Sequence, residues 1–404
     1  MKMSIHRSRG SARRTARLGA ALALAGAVLA ACGDDDGGSS SNVDVKADED
    51  CAARTQEARD AGELTEVKLQ LQWVSQAQFA GYYAAVAKCY YVDEGLDVTI
   101  VEGGVDIVPQ DVLAAGDVDY AISWVPKVLG SIEQGARITN VAQIYERSAT
   151  TQISFKDKGI TEPADLAGKN VGSWGYGNEW ELFAGMQDAD VTLDDITLVQ
   201  QAFDMNAFLA GDIDAAQAMT YNEYAQVLET VNPETGELYT ADDLNVIDWI
   251  ETGSAMLQDA IWAQTEKLSD TAYADQTVAF IKASIEGWAF VRDNPEEAAQ
   301  IVTDSGSQLG ASHQLWMTNE VNKLLWPSTN GVGTIDEAAW KQTVDIALGT
   351  QNETGATIIS KAPPETAYTN EYVEKALAAL EEDGVDTIGA DYTPIEVTLA
   401  EGGK

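Results

Sequence analysis

The chain has 404 residues, 25 Lys and Arg against 65 Asp and Glu, and a formal net charge of −40. That balance excludes nucleic-acid binding and adhesion to anionic lipid, because both need a basic face. Three cysteines and two histidines, His6 and His313, leave almost nothing from which to build a zinc site, a haem site or a Ser-His-Asp triad, so no metal and no cofactor are expected.

In chain order, the first element is a targeting signal. Arg7, Arg9, Arg13, Arg14 and Arg17 precede an Ala/Leu run, Leu18 to Cys32, that is too short for an ordinary transmembrane helix and ends Leu29-Ala30-Ala31-Cys32. Small residues before a cysteine predict a lipoprotein signal over 1–31, with Cys32 as the lipidated N-terminus on the outer face of the cytoplasmic membrane. The competing reading is a plain secretory signal. Cleavage removes six Lys/Arg and no Asp/Glu, taking the charge to −46. Residues 32–63, rich in Gly, Ser, Asp and Glu at their start, read as an acidic tether. Cys51 and Cys89 are then left to pair or not in an oxidising compartment.

The remainder alternates strand and helix, which predicts βαβ crossovers and mixed, mostly parallel sheets. Val67 to Leu71 reads as a strand, Ala77 to Tyr91 as a helix, and Leu96 to Val101 as a second strand. An internal echo follows. Leu113-Ala114-Ala115-Gly116-Asp117-Val118-Asp119 and Phe208-Leu209-Ala210-Gly211-Asp212-Ile213-Asp214 both read as a helix end, a Gly-Asp turn and a strand, each strand leaving through an aromatic. Two copies predict two lobes of like construction: 64–155 as the first part of lobe 1, 156–252 as lobe 2, and 253–404 as the return to lobe 1 with C-terminal helices. The glycine-rich loop Ser173 to Trp180 is expected to lead into a helix starting near Asn178, whose free N–H groups would face the cleft. Trp262, on a strand returning to the first lobe, and Arg147, near the first crossover, are further cleft candidates; for Arg147 a surface salt bridge is the competing role.

Strand ends in such folds collect the ligand-binding loops. The candidate ligand set is therefore Trp73, Gln76, Phe79, Trp124, Trp174, Tyr176, Asn178, Glu179, Tyr221, Asn222 and Glu223. Aromatic faces sandwich a planar ring, while amides and carboxylates satisfy its N–H and carbonyl groups. No catalytic residue is assigned.

Taken as an ordered set, Gln72-Trp73 with Gln76 to Gly81, Gly95-Leu96-Asp97-Val98, Gly116-Asp117-Val118-Asp119, Ala142-Gln143-Ile144, Asp165 to Gly172, Gly177-Asn178-Glu179 and Tyr221-Asn222-Glu223 resemble one family. It is the ABC-importer solute-binding proteins of the thiamine-pyrimidine-precursor branch, more distantly the alkanesulfonate-binding proteins. The resemblance implies a two-lobed periplasmic-binding-protein type II fold that closes on a flat heterocycle, either a thiamine pyrimidine precursor or a flavin. It also implies ABC permease and ATPase subunits as partners and a monomer by default. A sulfonate or small-anion ligand and a sensor lipoprotein without transport are the rival readings. The fungal enzymes of the branch carry a cysteine-rich motif and a histidine that are not found here, so the expected protein is not an enzyme.

Overall fold

The computed structural model describes residues 41–404, so the signal and Cys32 lie outside the described residues. Among the described residues ten strands form three sheets: β1 Thr65–Gln70, β2 Leu96–Val101, β3 Tyr120–Trp124, β4 Ile138–Gln143, β5 Thr150–Phe155, β6 Asn170–Ser173, β7 Thr197–Gln200, β8 Ala216–Met219, β9 Leu244–Asp248 and β10 Asp259–Gln264. The first sheet runs β2-β1-β3-β10-β4, the second β8-β5-β9, and β6 pairs with β7. Strands β2, β1 and β3 are parallel, and β10 enters antiparallel between β3 and β4. The second sheet is antiparallel throughout. Because β5 pairs there, the chain crosses between the sheets before Thr150, several residues earlier than the boundary at 155 expected from sequence. It returns between Asp248 and Asp259.

The echo seen in sequence is a structural one. Gly116 and Gly211 end their helices with φ of +86° and +82°, in the left-handed region that a residue without Cβ occupies at little cost. In both copies the second Asp, not the one beside the glycine, makes the characteristic bond: Asp119 accepts the Lys68 N–H and Asp214 accepts the Asn170 N–H, each at 2.9 Å. The backbone N–H of each Asp returns a bond to the carbonyl of that same residue, Lys68 at 3.0 Å and Asn170 at 2.8 Å. Each motif therefore ties the entry of its own strand, β3 or β8, to a neighbouring strand, mid-β1 or the start of β6.

Two corrections concern the N-terminal part. Residues 49–61 are a helix, Glu49–Ala61, rather than tether. Upstream of it Val43 and Val45 pack on the first core, and the Val43 N–H donates to Ile100 at 2.9 Å. The alternation of Val43 and Val45 carried that signal. Cys51 on this helix forms a disulfide with Cys89. Cys89, at φ +67°, also interrupts the long helix expected over 77–91, which divides into a 3-10 turn Ala77–Phe79 and helices Ala80–Ala87 and Tyr90–Asp93.

The long helix Thr271–Asp293 covers the first sheet and crosses Ala80–Ala87 at two glycines. A Cβ at Gly287 would lie 2.1 Å from the Gly81 carbonyl oxygen, and one at Gly81 2.3 Å from the Trp288 ring, so this close approach admits no side chain at either position. The two crossovers are stitched together by buried polar groups. Glu181 accepts the Met256 N–H at 2.6 Å and the Ser148 hydroxyl at 3.1 Å, and Gln258 donates to Ser148 and Thr150 while accepting the Ala149 N–H. Burial pushes the Glu181 carboxyl up to about 7.

Candidate functional site

A cavity of ≈ 730 Å³ lies between the loops that leave the first sheet and those that leave the other two, within the size range of small-molecule sites. Its first wall is built on the loop after β1 and the helix after β3. Its second is built on the loops after β6, β7 and β8.

The first wall converges on one buried carboxylate, Asp259, at the start of β10. Gln72 Nε2 and Trp124 Nε1 donate to its Oδ1 at 2.5 and 2.6 Å, and Gln78 Nε2 donates to its Oδ2 at 3.0 Å. Gln76 in turn donates to Gln78 at 2.7 Å, so a chain of amides connects the wall's surface to its base. Burial pushes the Asp259 carboxyl up to about 7, against the pull of these donors and of Lys127. Lys127 is the one cation among the residues lining the cavity. Its ammonium lies 4.8 Å from the centre of the Trp124 ring, and burial brings it down to about 8, opposed by Asp259 and Glu179.

The second wall is shaped by Gln217 on β8. Its side-chain oxygen accepts the Ser173 hydroxyl and the Trp174 N–H, and its Nε2 donates to the Asn178 carbonyl at 2.5 Å, pinning both ends of the glycine-rich loop. Between those pins Gly175, Tyr176 and Gly177 have φ of +65°, +55° and +88°. Tyr176 holds this conformation at a cost of order 1 kcal/mol, with 85% of its surface exposed at the mouth of the cavity. Trp174 is buried, and its indole N–H has no partner among the described residues. Phe203 lies between walls: its ring centre is 4.7 Å from that of Trp73 and 6.3 Å, nearly parallel, from that of Trp174. Glu223, pushed up to about 7 by burial, accepts the Met219 N–H at 3.0 Å and the Asn222 amide at 2.9 Å.

Of the residues singled out from sequence, Trp73, Gln76, Trp124, Trp174, Tyr176, Asn178, Tyr221, Asn222 and Glu223 line this cavity. Phe79 does not. It follows Gln76 and Gln78 in a tight turn that sends those amides to the cavity and the ring into the core, where none of its surface is exposed. Glu179 is also absent from the lining: its carboxylate turns back to accept the Gly177 N–H at 2.9 Å, and the helix begins at Trp180 rather than Asn178. The Glu179 carboxylate is therefore spent inside the glycine-rich loop and makes no side-chain cap on the helix that follows. Trp262 is core, its N–H donating to the Ser123 carbonyl at 2.9 Å. Arg147 is neither clamp nor surface ion pair, since it donates to the carbonyls of Lys323, Leu324 and Pro327.

Sequence reasoning missed Asp259, Gln78, Lys127 and Phe203. Asp259 lies 181 residues from Gln78, and no local pattern announces such a meeting. Lys127, three residues after Trp124 and directly after a Pro at a helix start, was visible as a cation at a strand exit.

The profile of the NMT1/THI5-like family matches residues 76–298. A formylaminopyrimidine-binding protein of Halalkalibacterium halodurans is 24% identical over 257 residues, 62% of this chain and 74% of that one. The riboflavin-binding protein RibY of Chloroflexus aurantiacus is 25% identical over 325 residues, 77% of this chain and 86% of that one. Among solved structures, the periplasmic aliphatic sulphonate binding protein SsuA of Escherichia coli superposes with a TM-score of 0.52 at 15% identity, covering 84% of this chain and 94% of its own. That likeness fixes the two-lobed periplasmic-binding-protein fold.

Proposed function

The chain belongs to the NMT1/THI5-like family, and from that premise we propose that it is the solute-binding lipoprotein of an ABC importer, capturing a planar heterocyclic vitamin or vitamin precursor between its lobes. In this reading the mature protein is held outside the cytoplasmic membrane by lipid on Cys32 and hands its ligand to permease and ATPase subunits. The lobes are built on the two larger sheets, with the first crossover before β5. A ligand touching both walls has its full contacts only in the closed arrangement, so binding shifts the balance toward closure.

The observation that carries this reading is the cavity itself, with indoles on both walls, phenols on the second, and amides and carboxylates around them. Aromatic planes and in-plane hydrogen-bonding groups suit a flat ring with N–H and carbonyl edges. An aminopyrimidine precursor of thiamine is the first assignment. A flavin is the second, favoured by a volume of ≈ 730 Å³ and by the number of aromatic residues, which together accommodate more than one ring. A small sulfonate fits the chemistry less well, because Asp106 and Glu223 line the same cavity as Lys127 and Asp259 stands behind it. A binding role is supported by relatives that are named for binding formylaminopyrimidine and riboflavin.

Isothermal titration of the purified chain with riboflavin, with formylated aminomethyl-pyrimidine and with taurine tests the assignment. The expected result is saturable one-to-one binding of one heterocycle with a negative heat-capacity change. Saturation by taurine with no heat from either heterocycle overturns it.

A further inference from the structure

The single histidine among the described residues, His313, is 1% exposed and lies behind the second wall of the cavity. It is carried by the helix Ala311–Leu325, which packs on the first core through Met317, Val321, Leu324 and Leu325. Its polar partners come from the other side: Nδ1 is 2.8 Å from Glu229 Oε1, and Nε2 is 3.0 Å from Asn222 Oδ1. The same helix meets both walls. Gln314 accepts the Ala77 N–H at 2.7 Å beside the cavity amides Gln76 and Gln78, and Trp316 donates to the Thr220 carbonyl at 3.0 Å.

Glu229 accepts, so Nδ1 donates. Asn222 has its Nδ2 2.9 Å from Glu223 Oε1; turned over, its oxygen would face a carboxylate oxygen, so the amide orientation is fixed by Glu223. Oδ1 of Asn222 therefore faces the imidazole, where it also accepts from Gln226, and Nε2 donates. An imidazole donating from both nitrogens is the imidazolium, and with Glu223 ionised, as it is above about pH 7, the order Glu229–His313–Asn222–Glu223 alternates anion, cation, dipole and anion. With the ring neutral and Nε2 bare, the amide would turn its NH₂ to the imidazole and its oxygen to Glu223, and that carboxyl would have to hold a proton to donate. Gly402 donates to the Glu229 carbonyl at 3.0 Å, and a Cβ at Gly403 would lie 3.0 Å from both the Glu229 carboxylate and the His313 Cβ, so the C-terminal segment packs directly on the pair, which lines a second cavity of ≈ 290 Å³ together with Asp204.

We propose that His313 is a positioning residue for the ligand: held between Glu229 and Asn222 as a double donor, it fixes the Asn222 amide so that Glu223 meets the cavity as a hydrogen-bond acceptor, selecting ligands that present an N–H edge. The inference rests on the heterocycle-binding reading above. It makes a helix of the first lobe set the chemistry of the second lobe's wall.

The test compares affinity for matched probes that differ in one N–H: riboflavin against 3-methylriboflavin, and the 4-amino-pyrimidine against its 4-dimethylamino analogue. Wild type is expected to favour the N–H member of the pair it binds by about tenfold, and His313→Gln and Asn222→Leu to reduce that preference to within about twofold while circular dichroism reports a folded chain. A preference that survives in the folded variants overturns the proposal. Binding of no heterocycle by wild type instead overturns the functional reading on which it rests. Independently of any cavity variant, nitrogen NMR of the imidazole in a His6→Ala chain is expected to show both ring nitrogens of His313 protonated. One bare nitrogen contradicts the proposal even if His313→Gln fails to fold.

Discussion

The two walls of the cavity are made of similar residues and are organised in opposite ways. On the first, every long polar side chain near the base is bonded inward: Gln72, Gln78 and Trp124 all end on Asp259. On the second, a loop with three successive left-handed residues is held at its ends by Gln217, while Trp174 keeps an unspent N–H. The first wall is a preassembled base whose hydrogen bonds exist without ligand; the second keeps donor capacity and backbone strain in reserve. Preorganised groups spare a binding site the cost of ordering at the moment of capture, and unpaired ones supply the new contacts.

If that contrast is right, the largest effect comes from removing the hub of the first wall. Asp259→Leu strands two buried donors, Gln78 and Trp124, and a half-buried one, Gln72, and is expected to lower stability by about 3 kcal/mol, read as a fall in denaturant midpoint at constant m-value. A loss under 1 kcal/mol would mean that the three donors find other partners. Next in size is the response to pH. Asp259, Glu181 and Glu223 are each held near 7 by burial, above the ordinary carboxylate range. The native state therefore binds more protons than the unfolded chain between about pH 4 and 7. The stability they contribute is complete below the ordinary carboxylate range and is lost as pH rises through about 7, a fall of at most a few kcal/mol for each group. Thermal melts from pH 5 to 8 should show a declining midpoint, and Glu181→Gln should flatten the decline. The smallest expected effect on stability lies on the second wall. Trp174→Phe removes a donor that bonds nothing among the described residues but trims a ring buried in the first core, and should cost about 1 kcal/mol of stability, yet weaken ligand binding several-fold if the indole N–H is spent on the ligand's carbonyl edge. An unchanged affinity would show that the indole N–H is not spent on the ligand.

The same contrast explains what could be read from the chain beforehand. The second wall was legible because its parts are short and local: Trp174, Tyr176 and Asn178 sit on one glycine-rich loop, and Tyr221-Asn222-Glu223 follow one strand. The repeated Gly-Asp-x-Asp was legible for the same reason, although its second Asp, bonding across to the next strand, carries the long-range part. The base of the first wall was not legible. Asp259 joins Gln72, Gln78 and Trp124 only after the chain has left the first sheet, built the second and returned, so its role exists only in the folded topology. Phe79 shows the limit of placing residues by proximity in sequence: in a tight turn, neighbours point in opposite directions, and its apolar ring takes the core while Gln76 and Gln78 take the cavity. The helix Glu49–Ala61 was hidden because its surface is nearly all polar; it is tied down by the disulfide and by Cys51, its one buried residue.

The central claim is that a planar heterocycle stacks between the two walls. Its most direct test is the tryptophan fluorescence of the full chain titrated with riboflavin and with the aminopyrimidine, alongside the double variant Trp73→Ala/Trp174→Ala. The account predicts saturable quenching by one of the two in wild type and its loss in the folded double variant. Saturable quenching that persists undiminished in the double variant, or that only taurine produces, would contradict it.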